Sequence, residues 1–263
     1  GLPAPDLVIV NDEDLTYAVV RPDDTSLSCL AASLGALRDP MARSLTWSML
    51  HNLVRDARID AALSVQAVLA HADDDTEPST LTVLLNQALR VTSRYAGPHT
   101  RRALLERLVA DDSTEPSKMT DPAFLHGGWG RLRAAAPGSD AQIVRARAWL
   151  EAAGQARLLG EAGSAQAAAR AREILDGALP GLELDADMRW RALTALARLD
   201  AVSANELEAQ RKADPTASGI THHLQASSSM PRQDLKAEVF ERLLSDTSVS
   251  NDHIDALVAG FAV

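Results

Sequence analysis

Apolar residues recur every three or four positions along most of the chain, which is the spacing of one face of an α-helix. The first such run follows Asp24 and Thr25, either of which can cap a helix, and it ends near Leu37. Asp39-Pro40, a capping residue followed by a first-turn proline, predicts the start of a second helix. A third run covers about 60–71. The chain therefore opens its periodic part with consecutive helices.

The same spacing predicts further helices as far as the end of the chain. Pro78 opens a fourth helix, which Gly97-Pro98 ends, and residues 111–120 are polar and acidic, as expected of a loop. The remaining helices are predicted at about 99–110, 121–136, 140–152, 154–177, 186–200, 203–213, 217–228, 232–245 and 251–261.

Short helices joined by short turns, with no strands between them, predict an all-α fold. The expected architecture is an α-α superhelix, or HEAT-like solenoid, of antiparallel helix pairs. A compact helical bundle is the alternative, because no strict repeat motif recurs along the chain.

Two β-rich runs precede the helices. Leu7–Val10 and Tyr17–Val20 flank the polar stretch Asn11–Thr16, which predicts a short N-terminal β-hairpin. Two strands alone are marginally stable in water and expose their pairing edges. We therefore expect residues 1–23 to be a hairpin remnant or linker from a preceding β domain, and residues 24–263 to form the helical-repeat domain.

Composition narrows the partners and the location. The chain has 263 residues, a formal net charge of −10 and a single cysteine, Cys29. A negative average field repels polyanions, so no nucleic-acid partner is expected. No apolar run reaches the ~20 residues that span a bilayer, and no signal peptide opens the chain, so we expect no membrane partner and a cytoplasmic location. Gly1 before Leu2-Pro3 is typical of tag cleavage and predicts a chain cut from a longer one.

Histidines are the first candidates for metal ligands, and none of the seven is followed by glutamate, so the chain has no H-E-x-x-H zinc helix. Adjacent His222 and His223 diverge by about 100° on a helix and cannot chelate one ion as an i, i+4 pair would. The other five are His51, His71, His99, His126 and His253. For the pair His222 and His223 we predict surface or interface positions, and we expect no metal site and no catalytic residue in this chain.

Other patterns have structural explanations. His126-Gly127-Gly128-Trp129-Gly130 lacks the Gly-Lys-Ser/Thr of a P-loop, which favours a tight turn between helices with Trp129 packed beneath. Asp73–Asp75 and Asp111-Asp112 lack the spacing of an EF-hand and fall at helix ends, as solvated loops do. Cys29 is expected to be a buried, inert thiol. The remaining candidates for a ligand-facing patch are Arg145 with Arg147 and Arg189 with Arg191.

A series of short segments, in order along nearly the whole chain, carries a family resemblance. They are Asp6–Tyr17, Leu45-Thr46-Trp47, Leu53–Ala57, Pro180-Gly181-Leu182, Asp187–Trp190, Ala213–Gly219, Asp246–Asn251 and Ala259-Gly260-Phe261. Together they resemble the C-terminal helical domain of the aminopeptidase N family of zinc metallopeptidases, in its bacterial form. The same class of domain closes the antigen-processing aminopeptidases.

This resemblance implies a parent zinc aminopeptidase that removes N-terminal amino acids from short peptides. Its one zinc ion would lie in a separate catalytic domain that carries H-E-x-x-H, so no cofactor is expected in this chain. The implied partners are the preceding catalytic and β domains of the same polypeptide and the peptide substrate. The implied role is a helical bowl over the zinc site that restricts access to short or flexible peptides, with contacts to their C-terminal ends; the peptide-facing residues are not assigned.

Two alternatives and one departure accompany this hypothesis. The chain ends at Val263, where the family has a further helix or two, so we expect the last repeat to be truncated. The first alternative is a stand-alone α-solenoid that binds a protein partner through its concave face. The second is a helical enzyme, which would need a deep pocket with convergent titrating groups.

Overall fold

The computed structural model describes residues 5–72, 77–111 and 127–262. Within these ranges thirteen α-helices form and no β-strand does, so the predicted all-α fold is confirmed. The helices are α1 (Asp24–Ser33), α2 (Pro40–Arg55), α3 (Ala61–His71), α4 (Pro78–Arg94), α5 (Pro98–Val109), α6 (Gly128–Ala134), α7 (Asp140–Ala153), α8 (Gly160–Leu175), α9 (Ala186–Arg198), α10 (Ala204–Ala213), α11 (Ala217–Ser229), α12 (Gln233–Ser245) and α13 (Asn251–Phe261).

The chain divides into two compact units. The first comprises Gly1–Leu104 with Asp111–Gly127, and the second comprises Leu105–Ala110 with Gly128–Val263. Helices α1–α4 therefore belong to the first unit and α6–α13 to the second, while α5 contributes residues to both.

Short polar side chains begin most of the helices, as the sequence predicts. The carboxylate of Asp39 accepts hydrogen bonds from the N–H groups of Met41 and Ala42, with Pro40 in the first turn of α2. The first helix differs by a residue from its predicted start, because Asp23 caps it and accepts from Ser26 N–H at 2.8 Å. Equivalent caps begin several later helices, namely Asp60, Ser139, Asp185, Ser203, Thr216 and Ser250.

The predicted N-terminal hairpin is wrong, because residues 7–10 and 17–20 form no strands. The side chain of Asn11 donates to Thr16 O at 2.8 Å and accepts from Thr16 N–H at 2.9 Å. A side-chain amide thus satisfies backbone groups that a cross-strand neighbour would otherwise pair. Val8 N–H donates instead to Ser26 Oγ at 3.1 Å. The β-branched residues here predicted strands, but local hydrogen bonds from side chains take up backbone groups that strand pairing would use.

One long predicted helix is split. The sequence predicts a helix over 154–177, whereas a 3₁₀ turn covers Ala156–Leu159 and α8 starts only at Gly160. Gly160 has φ 87°, a left-handed conformation that interrupts the helix and suits a residue without Cβ. All three of the acidic or glycine-rich patterns reach beyond the described residues. Asp73–Asp75, Asp112, His126 and the start of the helix predicted at 121–136 lie outside them.

The second unit has a tryptophan pair at its centre. The rings of Trp129 and Trp149 lie 4.6 Å apart, and the Arg170 guanidinium lies 5.4 Å from the Trp129 ring centroid. Trp149 Nε1 and Arg170 Nη1 both donate to Val109 O, at 3.2 and 3.0 Å, at the C-terminal end of α5. The predicted burial of Trp129 is confirmed, but the predicted tight turn is wrong, because Gly128, Trp129 and Gly130 lie in the first turn of α6. Cys29, predicted to be buried, is half-buried on α1.

A histidine in the first unit predicts a pH effect on stability. Burial lowers the pKa of His51 below its usual 6.5, and the positive charges of Arg90 and Arg55 lower it further. Its ring meets Tyr95 edge-on at 6.5 Å, and its buried Nδ1 has no hydrogen-bond partner among the described residues. The folded chain therefore binds this proton less tightly than the unfolded chain, whose histidine keeps the ordinary pKa.

We expect the free energy of unfolding to fall as pH drops from about 6.5 towards the lowered pKa of His51. Replacing His51 with glutamine removes that proton and should flatten this part of the profile. Urea unfolding of both proteins between pH 7.5 and 5 measures the difference. Profiles that run parallel in this window would show that His51 does not contribute.

Candidate functional site

Helices α7, α9 and α11 of the second unit form a small polar cleft with a volume of about 80 Å³. Helical spacing brings its side chains to common faces: Arg147 and Glu151 are four residues apart on α7, and Arg191 and Arg198 are seven apart on α9. Other lining residues include Asp187, Trp190, Thr194, His222 and Gln225.

Asp187 joins two of the cleft arginines. Arg147 Nη2 and Arg191 Nε lie 3.0 and 2.9 Å from the same oxygen, Asp187 Oδ2. Burial alone would raise the pKa of Asp187, but the hydrogen bond from Arg191 and the charges of Arg191 and Arg147 lower it below the usual 3.8. Asp187 is therefore ionised at neutral pH, and one carboxylate serves two guanidinium groups.

Arg198 forms the most buried charge of the cleft. Its side chain is 6% exposed, whereas that of its partner Glu151 is 48% exposed, and Arg198 Nη1 donates to Glu151 Oε1 at 2.8 Å. Gly154 provides the space for this arginine, because a Cβ at Gly154 would lie 2.8 Å from Arg198 Cδ. The Nε atoms of Arg198 and Arg147 are buried and have no hydrogen-bond partner among the described residues.

A buried tryptophan lies beside these charges. Trp190 Nε1 donates to Asp214 Oδ2 at 2.9 Å, which fixes the plane of the indole ring. The rings of His222 and His223 lie 6.3 and 6.2 Å from it at different inclinations, 35° and 73°. His222 lines the cleft, while His223 Nε2 lies 3.8 Å from Glu208 Oε2. The adjacent histidines thus take different environments, as their helical divergence predicts.

The sequence-predicted arginines separate into two groups in the structure. Arg147 and Arg191 come together on Asp187, whereas Arg145 and Arg189 do not line the cleft. Glu151, Asp187, Arg198 and Gln225 were not among the residues predicted from the sequence to face a ligand. The i, i+4 and i+7 spacings could have placed the first three on the faces of Arg147 and Arg191.

No three histidine, cysteine, aspartate or glutamate side chains in the described part of the chain come close enough together to hold a metal ion. No helix in the same residues has both the length and the apolar character needed to cross a membrane.

The described helices and the charged cleft between three of them are those of a helical domain, and comparison with known proteins gives its family. Residues 7–263 match the model of the ERAP1-like C-terminal domain, and the chain belongs to this family. It is 30% identical over 263 residues to aminopeptidase N of Streptomyces lividans, covering 99% of this chain and 28% of that relative. The prediction of a C-terminal domain of the aminopeptidase N type is confirmed, and the chain corresponds to one part of a longer aminopeptidase.

Proposed function

We propose that this chain is a non-catalytic domain of a zinc-dependent aminopeptidase, an enzyme that removes N-terminal amino acids from peptides. The family match over residues 7–263 carries this proposal. The zinc ion and the H-E-x-x-H motif belong, in this proposal, to a catalytic domain elsewhere in the parent polypeptide. The 28% share of the Streptomyces lividans relative supports it, since most of that aminopeptidase lies outside the matched part.

In this proposal the domain encloses the active site and restricts the peptides that reach it. The helices of residues 24–263 pair as an α-α superhelix whose concave side closes over the zinc site, which excludes water and limits access to short or flexible peptides. The polypeptide acts in the cytoplasm.

The N-terminal segment supports a link to a preceding β domain of the same polypeptide. Val8, Val10, Tyr17 and Val19 are all exposed on residues 7–20, and several apolar side chains that face water within one short segment are typical of an interface. In this proposal the β domain covers them, and residues 1–23 are the linker between that domain and the helices.

Removing this domain from the parent enzyme tests the enclosing role. We expect the shortened enzyme to hydrolyse an aminoacyl-p-nitroanilide but to lose its preference for short over long peptides. The ratio of kcat/KM for a tetrapeptide over that for a fifteen-residue peptide should fall by about tenfold or more, which corresponds to about 1.4 kcal/mol in transition-state binding.

Two controls accompany this measurement. The separate 263-residue chain should show no turnover of the anilide with or without added zinc. Turnover by a homogeneous sample would contradict the non-catalytic assignment. An unchanged length preference in the shortened enzyme would contradict the enclosing role alone.

A further inference from the structure

We propose that the cleft between α7, α9 and α11 is an anion-binding site that takes a single carboxylate group. This site is independent of the proposed function, because it is defined by side chains of this chain alone. Its cationic residues are Arg147, Arg191 and Arg198.

The residues that line the cleft carry an excess of positive charge. Three guanidinium groups and two carboxylates, Asp187 and Glu151, line the cleft, which leaves an excess of about one positive charge among the lining residues. The nearby Asp214 carboxylate accepts from Trp190 Nε1 and is not among them. Guanidinium groups stay protonated at any physiological pH, so this excess is permanent. The whole chain carries −10, so the excess at the cleft is local and contrasts with the average field.

The guanidinium group of Arg198 is only partly paired. Its side chain is almost wholly buried, yet its carboxylate partner Glu151 is about half exposed and therefore screened by water. Its Nε, like that of Arg147, has no hydrogen-bond partner among the described residues. Buried donors of this kind are where a water molecule or an ion binds. Gly154 leaves the room that the arginine needs, so the position of Arg198 is built into the packing.

The charge and the shape of the cleft favour a carboxylate as the ligand. One excess positive charge matches a monoanion, whereas a phosphate dianion would meet Asp187 and Glu151 with surplus negative charge. A planar carboxylate also fits the fork of a guanidinium group. The Thr194 hydroxyl and the Gln225 amide offer uncharged donors, and Trp190 offers an apolar wall for the carbon atom that bears the carboxylate.

The test is a titration of the ¹⁵N-labelled chain at constant ionic strength, monitored at the Trp190 indole N–H and the Gln225 side-chain amide. The probes are sodium acetate, N-acetyl-dialanine with a free carboxylate, the same dipeptide as its amide, and inorganic phosphate. We expect saturable shifts with the two carboxylates, and no saturation with the amide or phosphate. A dipeptide acid that binds at least tenfold tighter than acetate identifies peptide carboxylates as the ligand, and equal affinities identify free small carboxylates.

Two variants locate the site. Arg147→Gln should weaken acetate binding by about tenfold, because it removes one charge-assisted donor. Arg242→Gln is the matched control, since Arg147 and Arg242 are 42% and 41% exposed and each pairs with an aspartate. Glu151→Gln should instead tighten binding by about threefold or more, because it removes a negative charge beside Arg198.

Each result of the titrations either supports or overturns the proposed carboxylate site. No saturable shift with either carboxylate, or equal weakening in Arg147→Gln and Arg242→Gln, overturns the site. A spectrum of well-dispersed amide signals for each variant confirms that it is folded, so a loss of binding is not a loss of structure. Tighter binding in Glu151→Gln supports the site, and weaker binding there overturns it.

Discussion

Replacing Gly128 with alanine is expected to destabilise the second unit by about 3 kcal/mol or more, the upper end of overpacking effects. A Cβ at this position would lie 1.9 Å from Leu108 O and 2.8 Å from Leu108 C, both of which are backbone atoms. A flexible side chain could turn away from such a clash, but the end of α5 can move only by displacing its own helix. Trp129, the next residue, donates its N–H to Ala110 O at 2.9 Å and would be displaced too.

Thermal or urea unfolding monitored by tryptophan fluorescence measures this effect, because Trp129 and Trp149 lie at the same contact. Gly97→Ala is the matched control, since a Cβ at Gly97 would have no atom within 4 Å. We expect Gly97→Ala to change the free energy of unfolding by less than about 1 kcal/mol. Equal effects of the two substitutions would contradict the steric explanation.

This result would also settle how the glycine cluster should be interpreted. A glycine-rich run can cradle a phosphate or can have a purely structural role, and the sequence favoured a structural role, as a tight turn between helices. The distance from Gly128 to the α5 carbonyl gives that preference a physical reason. The glycine is needed where it stands because a helix end occupies the space of its side chain.

Helix positions were predictable because the signals that begin and end a helix are local. Asp39-Pro40, Asp60 and Pro78 each define a start that the structure confirms to within a residue. The β-hairpin predicted from the N-terminal runs was wrong, because strand formation depends on a partner strand that the local sequence cannot specify. There the side chain of Asn11 satisfied the backbone of Thr16 in place of a neighbouring strand.

The cleft was predictable only in part, for a related reason. Periodicity shows which residues share a face of one helix, but it does not show which helices meet. Arg198 and Glu151 are 47 residues apart and still form an ion pair at 2.8 Å. Arg147 and Arg191 were candidates because each lies two residues after another arginine, whereas their common partner Asp187 carried no such signal.

Family membership and the cleft bear on different questions. The match over residues 7–263 establishes the domain to which the chain belongs, and it names no residue that acts on a ligand. The site proposed in the cleft specifies residues and a class of ligand, and the titration that tests it needs only this chain. A positive titration would therefore add a binding property to a domain that is proposed to act by enclosing a site elsewhere.

A single lysine connects the C-terminal ends of two of the last helices. Helix α12 has no buried residue, so its attachment relies on contacts at its edge, such as the stacked rings of Phe240 and Phe261 at 6.0 Å. Lys236 Nζ donates to Ser228 O at 2.8 Å, Gly260 O at 2.9 Å and Phe261 O at 3.0 Å. These carbonyls lie at the C-terminal ends of α11 and α13, where a cation is favoured by the helix dipole.

Lys236→Met keeps most of the apolar stem and removes all three donors, so we expect it to destabilise the α11–α13 region by about 2 kcal/mol. Amide hydrogen exchange in α12 and α13 should accelerate by about thirtyfold if these helices open as one unit. Lys212→Met is the control, since Lys212 is 71% exposed and lies 4.0 Å from Glu208, and it should change stability by less than about 0.5 kcal/mol. Equal exchange rates in the two variants would show that the lysine does not hold these helix ends together.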